Sequence, residues 1–156
     1  MGPIILEGCD GSGKSTLAAK LSPHPVRNGP PNGATRASLR ALYASQLITG
    51  AVIDRSWPSE MIYGPRVRGK SLLGAWDADY LLEYFIRASG VMVLCLPPIK
   101  VCLAAWRSRP ELLPDEAALR AVYEMYFRLA EKAPEWIIVY DWTAPLAEEL
   151  LMRRLG

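Results

Sequence analysis

The chain has 156 residues, of which 51% are hydrophobic, and its formal net charge at pH 7 is only +2. This length suits a single domain, and the near-neutral charge excludes the uniformly basic signature of a nonspecific nucleic-acid binder while leaving room for a local basic patch. The apolar runs are far shorter than the roughly 20 residues of a membrane span, and the N-terminal run is too short for a signal peptide, so we expect a soluble cytoplasmic protein without a membrane partner.

The first predicted element is a short apolar strand, Pro3–Leu6, which leads directly into the sequence GCDGSGKS. This phosphate-binding loop, Gly8–Ser15, fits the pattern G-x-x-x-x-G-K-[ST] and lies between the strand and a helical pattern. Its glycines let successive backbone N–H groups point at phosphate oxygens, and the following helix presents its positive N-terminal end. We therefore predict that Lys14 contacts the β- and γ-phosphates of ATP and that the Ser15 hydroxyl is a ligand of Mg²⁺. The residues predicted to bind ATP are Asp10, Gly11, Ser12, Gly13, Lys14, Ser15 and Thr16.

Prolines interrupt the pattern after the first helix. The segment Pro23–Asn32 contains four prolines and a glycine, which exclude a long helix and leave room for a short second strand around Val26. An apolar stripe then predicts a helix that closes at Gly50, a residue suited to a left-handed cap. The stripe consists of Leu39, Leu42, Tyr43 and Leu47.

The run Ala51–Ile53 predicts a third strand, and it ends in Asp54 and Arg55. The carboxyl ends of parallel strands share one edge of a sheet, so both side chains should lie beside the phosphate-binding loop. A carboxylate there can hold the hydration shell of Mg²⁺ or orient an attacking oxygen, and a guanidinium can bind a phosphate in bidentate fashion. The alternative is a surface loop with an exposed ion pair.

Aromatic and basic side chains follow this turn and are candidates for substrate contacts. Aromatic rings can stack on a base while guanidinium groups hold its phosphate. Asp10 either faces the same substrate or only forms the turn of its own loop. The candidates after the turn are Trp57, Tyr63, Arg66 and Arg68.

Two further helical patterns lie downstream. Leu72–Ala88 is apolar on most sides, which predicts a buried helix with one solvated edge. An apolar stripe from Leu119 to Ala130 predicts a second helix, which Asp115 can cap. The solvated edge of the first helix consists of Asp79, Glu83 and Arg87.

The segment Trp106–Glu116 lies between helical patterns and carries Arg107 and Arg109, with prolines nearby. In a phosphoryl-transfer enzyme, a closing lid would occupy this place, and a lid arginine can neutralise charge on the transferred phosphoryl group. The alternative is a plain connector with solvated arginines.

Apolar runs at Val91–Leu96 and Trp136–Tyr140 predict two more strands. None of the runs alternates polar with apolar residues, so both faces of the sheet should be buried, as in a parallel sheet. Strands that alternate with helices predict one α/β domain over residues 1–156, a three-layer sandwich with helices on both faces and a short lid at about 106–116.

The segments EGCDGSGKST, DRSWPSEMIYG, LCLPP and RSR together resemble the thymidylate kinase branch of the P-loop nucleoside-monophosphate kinases, and YGPRVRG is most similar to small, often phage-encoded relatives. The resemblance implies a P-loop NTPase fold with a five-stranded parallel sheet in the order 2-3-1-4-5. It also implies Mg²⁺-dependent transfer of a phosphoryl group from ATP to a pyrimidine deoxynucleotide such as dTMP. The chain departs from the family in its acceptor segment, where only Arg27 could stand in for the basic residue of a Thr-Arg-Glu-Pro-Gly stretch.

On this resemblance, Ser59 joins the candidates for substrate binding, and the lid arginines supply catalytic charge. The predicted catalytic residues are Lys14, Asp54, Arg55, Arg107 and Arg109. The predicted metal ligands are Ser15 and Asp54. The predicted substrate-binding residues are Asp10, Arg55, Trp57, Ser59, Tyr63, Arg66 and Arg68.

Several alternatives stay open at this point. The same chemistry could act on a modified base or hydroxyl in DNA, because the acceptor region is short. The chain could also be a regulatory nucleotide-binding module without transfer activity, although it lacks an Asn-Lys-x-Asp segment. Trp142 and Pro145 either flank the adenine or form an ordinary turn, and a homodimer remains an option.

Overall fold

A computed structural model describes residues 2–132 and 134–156 and shows one parallel five-stranded sheet. The strands are β1 (Ile4–Glu7), β2 (Val26–Arg27), β3 (Val52–Asp54), β4 (Val91–Cys95) and β5 (Ile137–Tyr140). They pair in the order β2-β3-β1-β4-β5. The predicted α/β class and the strand order 2-3-1-4-5 are therefore confirmed.

Seven helices of the described residues surround this sheet. They are α1 (Lys14–Leu21), α2 (Arg36–Leu47), α3 (Trp57–Val67), α4 (Ala75–Arg87), α5 (Ile99–Ser108), α6 (Glu116–Glu131) and α7 (Ala147–Leu155). Within residues 2–132 and 134–156, no helix has the length and apolar character that a membrane crossing needs.

Both faces of the sheet are buried, as the unbroken apolar runs predict. Ile5 of β1 packs into the core formed with α2 to α6, whereas its neighbours Ile4 and Leu6 pack with Leu17 of α1 and Leu151 of α7. Because successive side chains of a strand point to opposite faces, β1, β3, β4 and β5 each contribute to both cores. The three-layer arrangement follows from this division.

Strand register places the predicted site residues at one edge of the sheet. Leu6 of β1 pairs with Asp54 of β3, and Glu7 pairs with Leu94 of β4. The chain then leaves β1 into the phosphate-binding loop and leaves β3 at Arg55. Both departures occur at the carboxyl ends of neighbouring strands, where ligands of open α/β sheets bind.

Two predicted segments differ in extent from the structure. The segment predicted as a lid, about 106–116, consists of the end of α5, which continues to Ser108, a seven-residue connector at 109–115, and Glu116, where α6 begins. The predicted cap is present, since the side chain of Asp115 accepts a hydrogen bond from the backbone N–H of Ala118 at 2.8 Å. This cap fixes the end of the connector.

The helix predicted over Leu72–Ala88 begins only at Ala75 and is not buried on most sides. Its buried face consists of Asp77, Leu81 and Phe85. Trp76 and Tyr84 are 59% and 41% exposed, so aromatic residues that suggest burial in the sequence lie on its surface. The solvated edge predicted at Asp79, Glu83 and Arg87 is exposed.

Candidate active site

The phosphate-binding loop connects β1 to α1 through a backbone that only glycine accommodates easily. Gly11 and Gly13 have φ values of 74° and 90°, in the left-handed region. A Cβ on Gly11 would lie 2.8 Å from the Cβ of Ala105 in α5, and one on Gly13 would lie 2.9 Å from the indole nitrogen of Trp142. Gly13 is the N-cap residue of α1 and offers no capping side chain. The first amides of α1 are thus left to an anion such as a phosphate.

Lys14 lies inside the curl of this loop. Its ammonium donates to the carbonyl oxygen of Cys9 at 2.6 Å and to the hydroxyl of Ser12 at 3.2 Å. Burial, followed by repulsion from Arg55, lowers the pKa of Lys14. The ammonium is therefore held by neutral oxygens at the place where the sequence pattern predicts negatively charged phosphates.

Ser15 and Asp54, the two predicted metal ligands, are in contact. The hydroxyl of Ser15 donates to Oδ2 of Asp54 at 2.7 Å. The other carboxylate oxygen, Oδ1, is buried and has no hydrogen-bond partner in the described part of the chain. An unsatisfied carboxylate oxygen beside a hydroxyl fits Mg²⁺, which binds one or two protein oxygens and takes its other ligands from phosphates and water.

Arg55 and Asp10 form an ion pair between the phosphate-binding loop and the turn that precedes α3. The guanidinium of Arg55 donates to Oδ1 of Asp10 at 2.7 Å and lies 4.5 Å from the ring centroid of Tyr63. The Tyr63 hydroxyl donates to the same oxygen at 2.9 Å. Oδ2 of Asp10 is buried without a hydrogen-bond partner among the described residues. Asp10 is thus more than a turn former, because it fixes Arg55 and has one carboxylate oxygen to spare.

A small cavity of about 40 Å³ is lined by Arg55 and by residues of α3. Its polar wall contains Glu60, whose carboxylate accepts from Arg68 at 2.5 and 2.6 Å and from the backbone N–H of Leu72 at 2.7 Å. Leu112, from the connector 109–115, also lines it. The lining residues are Asn28, Gly29, Pro30, Pro31, Tyr43, Arg55, Ser59, Glu60, Tyr63, Val67, Arg68 and Leu112.

Three predicted substrate residues have other partners. Trp57 is only 4% exposed and packs edge-on against Phe85, with ring centroids 5.6 Å apart, so stacking on a base is wrong for this ring. Arg66 donates to the carbonyl oxygen of Ile62 in its own helix. Ser59 lines the cavity, but its hydroxyl donates to the carboxylate of Glu7 and accepts from the guanidinium of Arg55 at 3.4 Å.

The two lid arginines lie at the surface. Arg107, in the last turn of α5, pairs with Glu116 at the start of α6, and Arg109 is exposed at the end of α5. Within residues 2–132 and 134–156, no hydrogen bond joins either arginine to the phosphate-binding loop. Their catalytic role stays a prediction that requires the connector 109–115 to close.

A larger cavity, about 420 Å³, is lined by Gly13 of the phosphate-binding loop and by residues of α1 and α7. Trp142 forms one wall, and its indole N–H donates to the carbonyl oxygen of Ser12 at 3.1 Å. Thr16, from the first turn of α1, is part of the lining, whereas Pro145 is exposed and lines a different cavity. The site therefore has one cavity at Gly13 of the phosphate-binding loop and a second, separate cavity at Arg55.

No protein-family model and no curated protein matches the chain. Solved structures do match. A YorR protein from Bacillus subtilis, in complex with phosphorylated GDP, is 21% identical, with a TM-score of 0.75 over 97% of this chain and 94% of that one. Deoxyadenosine kinase from M. mycoides with bound dATP is 15% identical, with a TM-score of 0.59 over 98% of each chain. The same enzyme with dCMP and dCDP has a TM-score of 0.62 at 15% identity, over 98% of this chain and 97% of that one.

This chain has the same α/β P-loop fold as these solved structures. The P-loop is the segment Gly8–Ser15, and the ion pair of Asp10 with Arg55 lies at the carboxyl edge of the sheet, where this fold binds its ligands. At such low identity the comparison establishes the fold, and it does not distinguish the thymidylate kinase branch.

Three polar residues near the P-loop are absent from the sequence-based candidates. Glu7, at the end of β1, is buried among donors from α3 and α6. Asn28 donates to the carbonyl oxygen of Arg55 at 2.7 Å, and Glu60 binds Arg68. Glu7 alone has a local signal, because it is a charged residue between an apolar strand and a glycine-rich loop. The partners of the other two depend on the fold.

Proposed function

We propose that this protein is a kinase that transfers the γ-phosphoryl group of ATP to a deoxynucleoside monophosphate. The contact between Ser15 and Asp54, with one oxygen of Asp54 unsatisfied, carries the proposal, because it joins the P-loop to the neighbouring strand end at a place suited to a metal-bound triphosphate. The structural neighbours support nucleotides as ligands, since the deoxyadenosine kinase was solved with dATP and with dCMP and dCDP.

Each side chain of the site has a separate task in this proposal. The P-loop amides and Lys14 bind the β- and γ-phosphates, which compete with Cys9 and Ser12 for the ammonium. Ser15 and Asp54 would hold Mg²⁺, which when bound neutralises charge on the phosphate oxygens. Arg55 binds the acceptor phosphate and holds it in line with the donor. The lid arginines Arg107 and Arg109 approach only when the connector closes.

The cavity at Glu60 and Arg68 is the proposed base site of the acceptor. Glu60 accepts several hydrogen bonds already, whereas Arg68 uses only one nitrogen to reach it. The remaining guanidinium donors suit a base with a carbonyl oxygen at its edge, which thymine, cytosine and guanine have and adenine lacks, so this site is compatible with dTMP as the proposed acceptor. A nucleotide needs far more than 40 Å³, so Leu112 must first move away from the cavity to admit the acceptor, and the connector 109–115 closes only after the acceptor is bound.

The direct test is ADP release in a coupled assay with ATP, Mg²⁺ and a panel of acceptors. We expect release that depends on a deoxynucleoside monophosphate and is fastest with dTMP, with reactions lacking an acceptor as the background. Transfer to nucleosides instead of monophosphates would show that the protein is a nucleoside kinase and not a nucleoside-monophosphate kinase. Label transfer from ATP to an oligodeoxynucleotide would assign DNA as the acceptor. Slow hydrolysis without any acceptor dependence would favour the regulatory module.

The larger cavity is the proposed donor base site, with Trp142 as the stacking surface. Trp142→Ala should raise KM for ATP by about tenfold with little change in kcat, because stacking on one aromatic ring is worth roughly 1–3 kcal/mol. Trp142→Phe should restore most of the affinity, since it keeps a ring and loses only the N–H donor to Ser12. Trp76→Ala, at an exposed tryptophan of α4, is the matched control. A KM unchanged in Trp142→Ala would remove Trp142 from the donor site.

A further inference from the structure

Glu7 carries a carboxylate that the proposed reaction does not use. The side chain is fully buried at the end of β1. The backbone N–H of Ser56 donates to its Oε1 at 2.7 Å, and the hydroxyls of Ser59 and Tyr126 donate to its Oε2 at 2.6 and 2.7 Å. One carboxylate thus joins the strand that enters the P-loop to the start of α3 and to α6.

The contact with Ser56 replaces the usual cap of α3. Ser56 is the N-cap residue, but its own hydroxyl caps nothing and is buried without a partner in the part of the chain that the structure describes. In a capping box, the side chain at the third helical position accepts from the N–H of the N-cap residue. Here that position is Ser59, which donates to Glu7, and Glu7 accepts the N–H of Ser56. Glu7, the last residue of β1, therefore fixes the start of α3.

The residue before this cap, Arg55, has an unusual backbone conformation. Its φ is 70°, a region that residues other than glycine, asparagine and aspartate rarely adopt. Such a conformation persists only where the surroundings hold it. The N–H of Arg55 donates to the carbonyl oxygen of Leu6 at 3.1 Å, and its own carbonyl oxygen accepts from Asn28 at 2.7 Å. The next N–H along the chain is the one that Glu7 binds.

We propose that Glu7 is a positioning residue for phosphoryl transfer: its carboxylate holds the turn at Arg55 so that the guanidinium faces Asp10 and the acceptor phosphate. This inference rests on the proposed function. Glu7 is enclosed by Ser56, Ser59 and Tyr126, and it acts through Arg55. Because Tyr126 belongs to α6, which begins directly after the connector 109–115, the helix that follows the lid is fixed to the same point.

Glu7→Gln tests this role with little change of shape. The amide offers one acceptor oxygen where the carboxylate offers two, and the negative charge near Arg55 is lost. We expect kcat to fall about tenfold to a hundredfold, the range for losing a charge-assisted hydrogen bond, and KM for the acceptor to rise, while KM for ATP stays unchanged. A loss of stability alone would lower the concentration of active enzyme and leave both KM values as they are. Glu124→Gln, at an exposed glutamate of α6, is the matched control.

A second measurement follows Arg55 without turnover. In ¹H–¹⁵N spectra, the Nε–H signal of Arg55 is assigned by its disappearance in Arg55→Lys. The paired guanidinium should exchange slowly in the native protein, and in Glu7→Gln its signal should broaden or move towards those of exposed arginines. If Glu7→Gln does not fold, both the kinetics and the Arg55 signal are measured in Tyr126→Phe, which removes one of the three donors to Glu7. We expect smaller changes in the same direction.

The outcomes separate this inference from the proposed function. An unchanged Arg55 signal in a folded variant, or equal effects on the KM values of ATP and acceptor, would overturn the positioning role. Absence of transfer to any acceptor by the native protein would instead overturn the proposed function, and the Arg55 signal would still decide whether Glu7 holds the turn.

Discussion

Replacing Lys14 with alanine is expected to lower phosphoryl transfer by about a thousandfold, the order found when a preorganised donor to transition-state charge is removed. The ammonium is buried within the P-loop and donates only to uncharged oxygens, those of Cys9 and Ser12. Burial already lowers the pKa of Lys14. A bound triphosphate would give this ammonium the negatively charged partner that it does not have in the free protein. The charge developing on the γ-phosphoryl group then falls beside a fixed cation.

Two companion variants make this result specific. Lys14→Met keeps the aliphatic stem and removes the charge, and it should lose as much activity as Lys14→Ala. Lys100→Ala, at an exposed lysine of α5, removes a cation that the site does not use and should retain native rates. Initial rates at saturating dTMP and the rise in Tm on adding ATP measure chemistry and binding separately. Native rates in Lys14→Met would contradict phosphoryl transfer at the P-loop.

The sheet could be predicted from sequence because its strands are buried on both faces. Runs such as Val91–Leu96 then contain no polar interruption, and β4 ends within one residue of the prediction. The P-loop was predictable for a different reason, since its glycine positions follow from the backbone shape that phosphate binding needs. Together these two signals gave the strand edge at which Asp54 and Ser15 meet. Their contact required only the pairing of β1 with β3.

Helix α3 could not be predicted in the same way, and this changed the role of Trp57. Two prolines and a glycine argue against a helix in its sequence. Pro58, however, lies in the first turn, where a missing N–H costs no hydrogen bond. Gly64 leaves room for Arg68 to fold back on Glu60, since a Cβ there would lie 3.0 Å from both side chains. Once α3 forms, Trp57 points into the core.

Glu7 shows the limit of local patterns. Its three donors lie 49, 52 and 119 residues away along the chain. A glutamate at the end of an apolar strand is visible in the sequence, but its partners come together only when β1, α3 and α6 pack. The same holds for Asn28, whose amide meets Arg55 across the pairing of β2 with β3.

Asp54→Asn is expected to lower kcat by about a hundredfold to a thousandfold and to raise the Mg²⁺ concentration needed for half-maximal rate by at least about tenfold. Asparagine keeps the size of the side chain and one oxygen for the Ser15 hydroxyl, but it replaces the other oxygen with an amide donor and removes the charge. Asp79→Asn, at an exposed aspartate of α4, is the control for charge alone. The stabilisation of the ADP complex by Mg²⁺, read as the rise in Tm, gives a measure that does not depend on turnover.

A double-mutant cycle with Ser15→Ala then decides whether the two side chains act on one ion. If both serve a common Mg²⁺ site, Ser15→Ala adds little to a protein that already lacks the Asp54 charge, because neighbouring groups in one network are not additive. Independent roles would instead make the two losses multiply. Multiplied losses, together with a native Mg²⁺ dependence in Asp54→Asn, would contradict the shared site. Asp54 would then contribute to the rate independently of Ser15, and the hydrogen bond between the two side chains would have no part in the reaction.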